Sequence, residues 1–405
     1  MNDTPRNDAA AAAARDEGSL SASSARPSDE MLPFLNNFHD IFTTLGVVIL
    51  MAGLVVGAGQ IMSGLEFTEE SFSWQATLIG LIAGIAVVLW GISAILVGRQ
   101  RRILPGIVLS AGFIGAAAIV LVWGYAQFLI HGLGINEAML ESRFNGMDDM
   151  EFGREAVQAG LAQLPISLRI LPVVIGLSAL VPAILYYTAF RLPFAGGLVG
   201  VGLAATAVLT LFTLDPYTTG IYLPSVMVAA GGALLLAGIV FDMRDPGRET
   251  RLAGTAFWLH FFAAPILLSA VLNVTRLGWT FDEADFANPE NTNLLAALAA
   301  DNGNATQLAI VALTVIAIFA LVSLLINRRA LIVSGLLTAG ISIGVIVNAS
   351  GLGVGGVIAV TLLVLGGIVV LLGAAWNPVR SVLLAPFPRS GPLARLFPPA
   401  SGVVG

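Results

Sequence analysis

The run A-T-Q-L-A-I-V-A-L-T-V-I-A-I-F-A-L-V-S-L-L-I, from Ala305 to Ile326, decides the fold. It carries no charge, and at 1.5 Å per residue it is long enough to cross a hydrocarbon core of about 30 Å. It lacks the alternation of lipid-facing and lumen-facing residues that a membrane β-barrel needs, so it reads as a transmembrane helix. The same reading applies to 41–62, 75–97, 103–130, 170–190, 193–214, 220–241, 255–274, 330–349 and 354–376. The predicted architecture is all-α, a polytopic bundle of about ten transmembrane helices.

Composition points the same way. Of 405 residues, 57% are apolar and only 11% charged, too few charges to cover a large soluble core. A net charge of −6 without a basic stretch argues against nucleic acid as a partner. Cysteine is absent, which excludes disulfides, thiolate nucleophiles, cysteine-ligated zinc and iron–sulfur clusters. Every basic residue is an arginine, so Schiff-base and lysine-dependent phosphate chemistry are excluded as well.

The arginines set the expected orientation. With the N-terminus inside, one side of the membrane receives Arg6, Arg15, Arg26, Arg99, Arg101, Arg102, Arg191, Arg244, Arg248, Arg251, Arg328, Arg329, Arg380, Arg389 and Arg395. The other side receives only Arg143, Arg154, Arg169 and Arg276. Positive residues stay in the cytoplasm, so both termini are predicted to be cytoplasmic. The domain plan is a disordered, polar tail over 1–33, a transmembrane domain over 34–380 and a Pro-rich cytoplasmic tail over 381–405. The first long apolar run starts near Ile41, too late and too long for a cleavable signal.

Two outer loops are long. In 148–164, Met150, Val157, Leu161 and Leu164 share a helical face opposite Arg154, Glu155 and Gln158, which suits a helix lying flat at the interface or a short lid on the bundle. In 276–306, Asp282, Glu283 and Asp285 miss the EF-hand pattern, because Ala284 and Phe286 occupy ligand positions; a solvated loop is expected.

The glycine motifs are structural in this context. Gly351, Gly353 and Gly356 form G-x-G-x-x-G, but after a transmembrane helix and without a following acid, so a tight outer turn is expected in place of a dinucleotide site. The pairs Gly53/Gly57, Gly80/Gly84, Gly196/Gly200 and Gly340/Gly344 let helix backbones approach, within the bundle or across a homo-oligomer seam.

No metal site or cofactor is expected: His39, His131 and His260 fall at different depths, and no H-E-x-x-H occurs. His260 is the one ionisable side chain that these boundaries place inside a span. Two roles are open to it, a bond to a neighbouring helix or a ligand-binding or proton-carrying function. Without Asp or Glu in a span, carboxylate-based proton coupling is disfavoured. Pro265 predicts a kink or unwound turn in the same helix.

The most informative segment is the hinge before that helix. Asp245 and Pro246 have the order of an N-cap and first helical residue, so the seventh span is predicted to start there. Asp242, Arg244, Arg248 and Arg251, with His260 above them, are the candidate ligand-binding residues. The arginines suit lipid phosphates or another anionic ligand. His260 follows Arg251 by nine residues and lies on the opposite helix face, while Ala253 and Ala256 share its own face. Catalytic residues are not expected, because no nucleophile, base and metal come together.

The segments F-D-M-R-D-P-G-R-E-T-R (Phe241 to Arg251), A-F-W-L-H-F-F-A-A-P (Ala256 to Pro265) and N-R-R-A-L-I-V-S-G-L-L (Asn327 to Leu337) resemble a family of uncharacterised multi-pass inner-membrane proteins of proteobacteria. Trp376, Pro378 and Arg380 are similar to that family's closing segment, with Asn377 where a basic residue is expected. The resemblance covers the second half of the chain and implies a bacterial inner-membrane location, but no activity. Two functions are compatible with these residues: a transporter-like component binding a neutral or anionic small molecule or lipid, and a non-transporting scaffold or assembly factor that binds lipid or another membrane protein.

Overall fold

A computed structural model describes residues 38–64, 72–145, 153–245, 250–280, 305–348, 354–388 and 397. The tail over 1–33, the acidic loop residues Asp282, Glu283 and Asp285, the glycines Gly351 and Gly353, and Arg248 lie outside them. Every regular element among the described residues is helical. In chain order these are α1 (Phe38–Ser63), α2 (Phe72–Ser93), α3 (Leu104–Gln127), α4 (Glu137–Phe144), α5 (Arg154–Gln163), α6 (Ile166–Arg169) and α7 (Leu171–Phe190). They continue as α8 (Pro193–Leu214), α9 (Pro216–Ile221), α10 (Leu223–Arg244), α11 (Arg251–Leu277), α12 (Ala305–Ile326), α13 (Ala330–Asn348) and α14 (Val354–Leu384). Eight are long and apolar enough to cross a membrane, and α13 and α14, bent by 45° and 55°, bring the number to ten. The protein is a polytopic, all-α membrane protein.

Local chemistry sets the boundaries. Inside hydrocarbon every backbone group must be satisfied within the helix, and these runs of Leu, Ile, Val and Ala have no competing side-chain bonds. Proline opens α3, α7, α8, α9 and α10, where its missing N–H is not needed. The last turns of α2 and α3 widen into π-helical segments, Ala94–Arg99 and Phe128–Gly132. Short turns with one left-handed residue, Arg101, Arg191 or Asn327, reverse the chain after α2, α7 and α12.

The helix α11 is the axis of the bundle. Half of its apolar window is buried, against 6% for α1 at the periphery. On one side, α2, α3, α7 and α8 share a core around Leu89, Leu109, Tyr186 and Phe194, where the Tyr186 hydroxyl donates to Ser93 at 3.0 Å. On the other, α11, α12 and α13 enclose Leu268, Leu272, Ala309 and Leu331. Leu234, Leu259 and Ala263 join α10 to α11 between them.

Three sequence expectations change. The sixth span does not stop at Phe241: α10 runs to Arg244, so Asp242 is a helical residue inside it. Asp245 is not the N-cap of the next helix. That role belongs to Thr250, whose hydroxyl accepts from the Leu252 amide at 3.2 Å. Asp245 instead accepts from the Thr250 amide at 2.9 Å and hydroxyl at 2.6 Å, bridging the end of α10 to the start of α11. Lastly, of the kink or unwound turn expected at Pro265, the unwound turn is absent: α11 passes through Pro265 as one helix. The last helix continues to Leu384.

Of the four small-residue pairs, two are used inside the bundle. A Cβ on Gly196 would meet Thr255 and Tyr187, and one on Gly200 would meet Leu259, so α8 lies against α11 with no room for side chains there. Gly340 faces Leu365 and Gly344 faces Thr361 of α14. Gly53, Gly57, Gly80 and Gly84 meet nothing within 4 Å.

Candidate functional site: a buried Asp–His–Arg network

Gly238 and Asp242 are one turn apart on α10, and both face α11. His260 of α11 is completely buried, and its ring lies over Gly238, where a Cβ would come within 2.7 Å of Cε1. Nε2 donates to the Asp242 carboxylate at 3.0 Å. A carboxylate can only accept, so Nε2 carries the proton of this bond, and Nδ1 has no hydrogen-bond partner among the described residues. Ala253 and Ala256 are buried on the same side of α11, as their spacing required.

The third member is Arg328, in the turn between α12 and α13. It is 3% exposed, and its guanidinium meets Asp242 through Nε, 3.1 Å from both carboxylate oxygens, and through Nη2. Asp242 thus accepts from a histidine and an arginine on two other elements. An isolated carboxylate here would carry a desolvation penalty of several kcal/mol; pairing with one guanidinium cancels the charge and fills the lone pairs.

The turn that aims Arg328 is itself clamped. Asn327 takes the left-handed conformation at φ 56°, which asparagine tolerates, and the Ser323 hydroxyl donates to the Arg328 carbonyl. The bent end of α14 closes over it: Trp376 Nε1 donates to Asn327 at 3.0 Å, Arg329 lies 5.0 Å above the Trp376 ring, and Arg380 Nε donates to the Leu324 carbonyl at 3.0 Å. Asp242, His260, Arg328, Trp376 and Arg380, far apart in the chain, therefore meet in one place.

The network stands where the arginine-bearing turns gather. Arg102, after α2, pairs with Asp40 of α1 at 3.0 Å, and the α7–α8 turn abuts the start of α11 through Pro193 and Gly254. Arg244 and Arg251 are exposed at this end, apart from Asp242 and His260. Of the candidate residues, the fold brings Asp242 and His260 together and leaves Arg244 and Arg251 at the surface, while Arg248 lies outside the described residues. The expectation that no carboxylate sits inside a span fails at Asp242. Sequence reasoning missed Arg328, which reads as a topological arginine; its one signal was N-R-R in the resemblance.

The opposite end has a different character. Asp215 caps α9, and the hydroxyl and amide of Thr218 hold its carboxyl below the usual carboxylate range, with Arg154 at 3.4 Å adding to the effect. The amphipathic segment forms α5 and lies beside α9. Between α10 and α11 an open cleft of about 320 Å³ runs beside Pro224 and Pro265. One helix pair is thus tied by charge at one end and parted at the other. Among the described residues no cluster of His, Asp and Glu has the arrangement of a metal site. Compared with protein-family models, curated proteins and solved structures, the chain matches none.

Proposed function

We propose that this protein is a transporter-like, ligand-binding component of the bacterial inner membrane, with both termini in the cytoplasm and its arginine-rich end held shut by Asp242, His260 and Arg328. The supporting observation is the asymmetry of α10 and α11: a hydrogen-bonded Asp–His–Arg network closes them at one end, and a cleft opens between them at the other. The solute is neutral or anionic, since Asp242 is already neutralised by Arg328 and offers a cation no free charge. Placement in the proteobacterial family and in the inner membrane rests on the resemblance and the arginine pattern.

Because the chain has no cysteine, a single Ala253→Cys reports on closure. Ala253 is buried near the arginine-rich end. Its labelling by a membrane-impermeant maleimide from that side is slow with the network intact and rises about tenfold in Asp242→Asn and Arg328→Gln backgrounds, the effect of shifting a closed–open equilibrium by about 1.4 kcal/mol. Equal, slow labelling in three folded variants overturns the closure.

The second reading, a non-transporting scaffold that holds lipid or a partner membrane protein, is favoured by two observations. The periphery is open at α1, where Gly53 and Gly57 face empty space, a seam suited to a second copy; and Arg244 and Arg251 are exposed where lipid phosphates lie. If Arg248→Gln with Arg251→Gln strips co-purifying anionic lipid while Ala253→Cys stays unlabelled in every background, this reading replaces the first.

A further inference from the structure

The cleft between α10 and α11 contains a second set of polar groups, unrelated to the charged network. Its walls are Leu223, Pro224 and Met227 of α10 and, on α11, Pro265, Ser269 and Asn273. Ser269 and Asn273 are one turn apart and face the same way. The hydroxyls of Thr255 and Thr275, on the same helix, bond to the carbonyl four residues back; Ser269 and Asn273 have no such bond among the described residues. Pro265 has no N–H to offer the Phe261 carbonyl, which adds an acceptor below them. In a membrane, polar side chains that face a cleft ask for a ligand or water there.

The polarity is graded along the cleft. Asn273 stands one turn from the end of α11, and Trp279, 62% exposed, accepts from Ser225 at 2.7 Å just beyond it, at the level where interfacial tryptophans gather. Pro265 lies about 18 Å inward of the helix end, twelve residues at 1.5 Å each. Among the described residues the lining has no charged side chain, and a volume of about 320 Å³ is at the lower end of the range for small-molecule sites.

We infer that this cleft binds a neutral amphiphile dissolved in the bilayer, with its hydrogen-bonding head on Asn273 and Ser269 and its apolar body along Met227, Ile266 and Pro265. The inference deepens the proposed function by assigning a ligand class, but occupancy of the cleft is independent of transport. An anionic headgroup fits poorly, because the described lining residues offer it no cation.

The test uses the full chain in nanodiscs of neutral phosphatidylcholine, with a long-chain alcohol bearing a photoactivatable diazirine as probe and the matching carboxylate as control. Cross-links should saturate, concentrate on 223–227 and 265–273, and disappear with excess unlabelled alcohol. Asn273→Leu should lower apparent affinity about tenfold, the loss expected when one hydrogen-bonding partner is removed from a dry site. Met227→Trp, which fills the cleft from the other helix, should abolish saturation; unchanged unfolding temperatures show that either variant is folded. Uniform, non-saturable labelling of all lipid-facing helices, carboxylate labelling equal to that by the alcohol, or a cleft covered by cross-links to a second copy of the chain each overturn the assignment. Because the readout is occupancy, a negative Ala253→Cys result leaves it untouched, and a negative cross-linking result leaves the closure untouched.

Discussion

At the residue scale, the network depends on a side chain that is absent. The His260 ring occupies the place where any larger residue at 238 would put its Cβ, 2.7 Å from Cε1 and 2.9 Å from Nδ1. Gly238→Ala must therefore push the imidazole off the helix and lengthen its bond to Asp242, for a loss of about 1–3 kcal/mol of the overpacking kind. Gly232, on the same helix, meets nothing within 4 Å, so Gly232→Ala should be neutral or gain up to about 1 kcal/mol from the lower backbone entropy of alanine. Apparent unfolding temperatures of the two variants in one detergent check this; equal shifts mean that the ring does not rest on Gly238. His260 stood out in the sequence because an ionisable group in an apolar run is rare. Arg328 did not, since an arginine at the end of a span is what topology alone requires, and only the meeting of distant helices turns it inward.

At the element scale, the long helices were legible because hydrocarbon imposes one rule on every residue of a span, and 193–214 and 305–326 coincide with α8 and α12. What escaped was any boundary set by a tertiary partner. The end of α10 continues past Phe241 because Asp242 has an arginine and a histidine to meet, and Asp245 yields the N-cap to Thr250 because its own carboxylate bonds Thr250. A short element, α9, shows how such a cap responds to pH. Asp215 accepts from the Thr218 hydroxyl and amide, and its folded pKa lies below its ordinary value. The contribution is thus complete above the ordinary carboxylate pKa and is lost as pH falls through the depressed one. Asp215→Ala should cost about 1 kcal/mol of local stability at neutral pH, whereas Asp215→Asn, still a good cap, should keep most of it and remove its acid dependence. Hydrogen exchange of the Thr218 amide at neutral and acidic pH checks both; an acid-insensitive wild-type amide contradicts the assignment.

At the scale of the whole molecule, the two ends of the bundle are unlike. One gathers the turns after α2, α7 and α12, the link between α10 and α11, and Arg380 of α14; the other holds α4, α5, α6 and α9. Folding then neutralises part of the arginine charge, Arg102 against Asp40 and Arg328 against Asp242. If net charge in the finished protein decided orientation, these pairs would weaken the signal. Insertion, however, counts arginines near span ends before helices pack, and Asp and Glu contribute little. Orientation should therefore follow the unpaired arginine pattern: reporters active only in the periplasm should work when fused within 136–162 and stay silent within 242–252. Asp242→Asn should leave that pattern intact even where it opens the bundle, because its charge acts after the spans are set. Activity at 242–252 with silence at 136–162 reverses the molecule in the membrane and places the Asp242 network at the outer face. A pattern that flips on Asp242→Asn shows instead that the carboxylate acts during insertion.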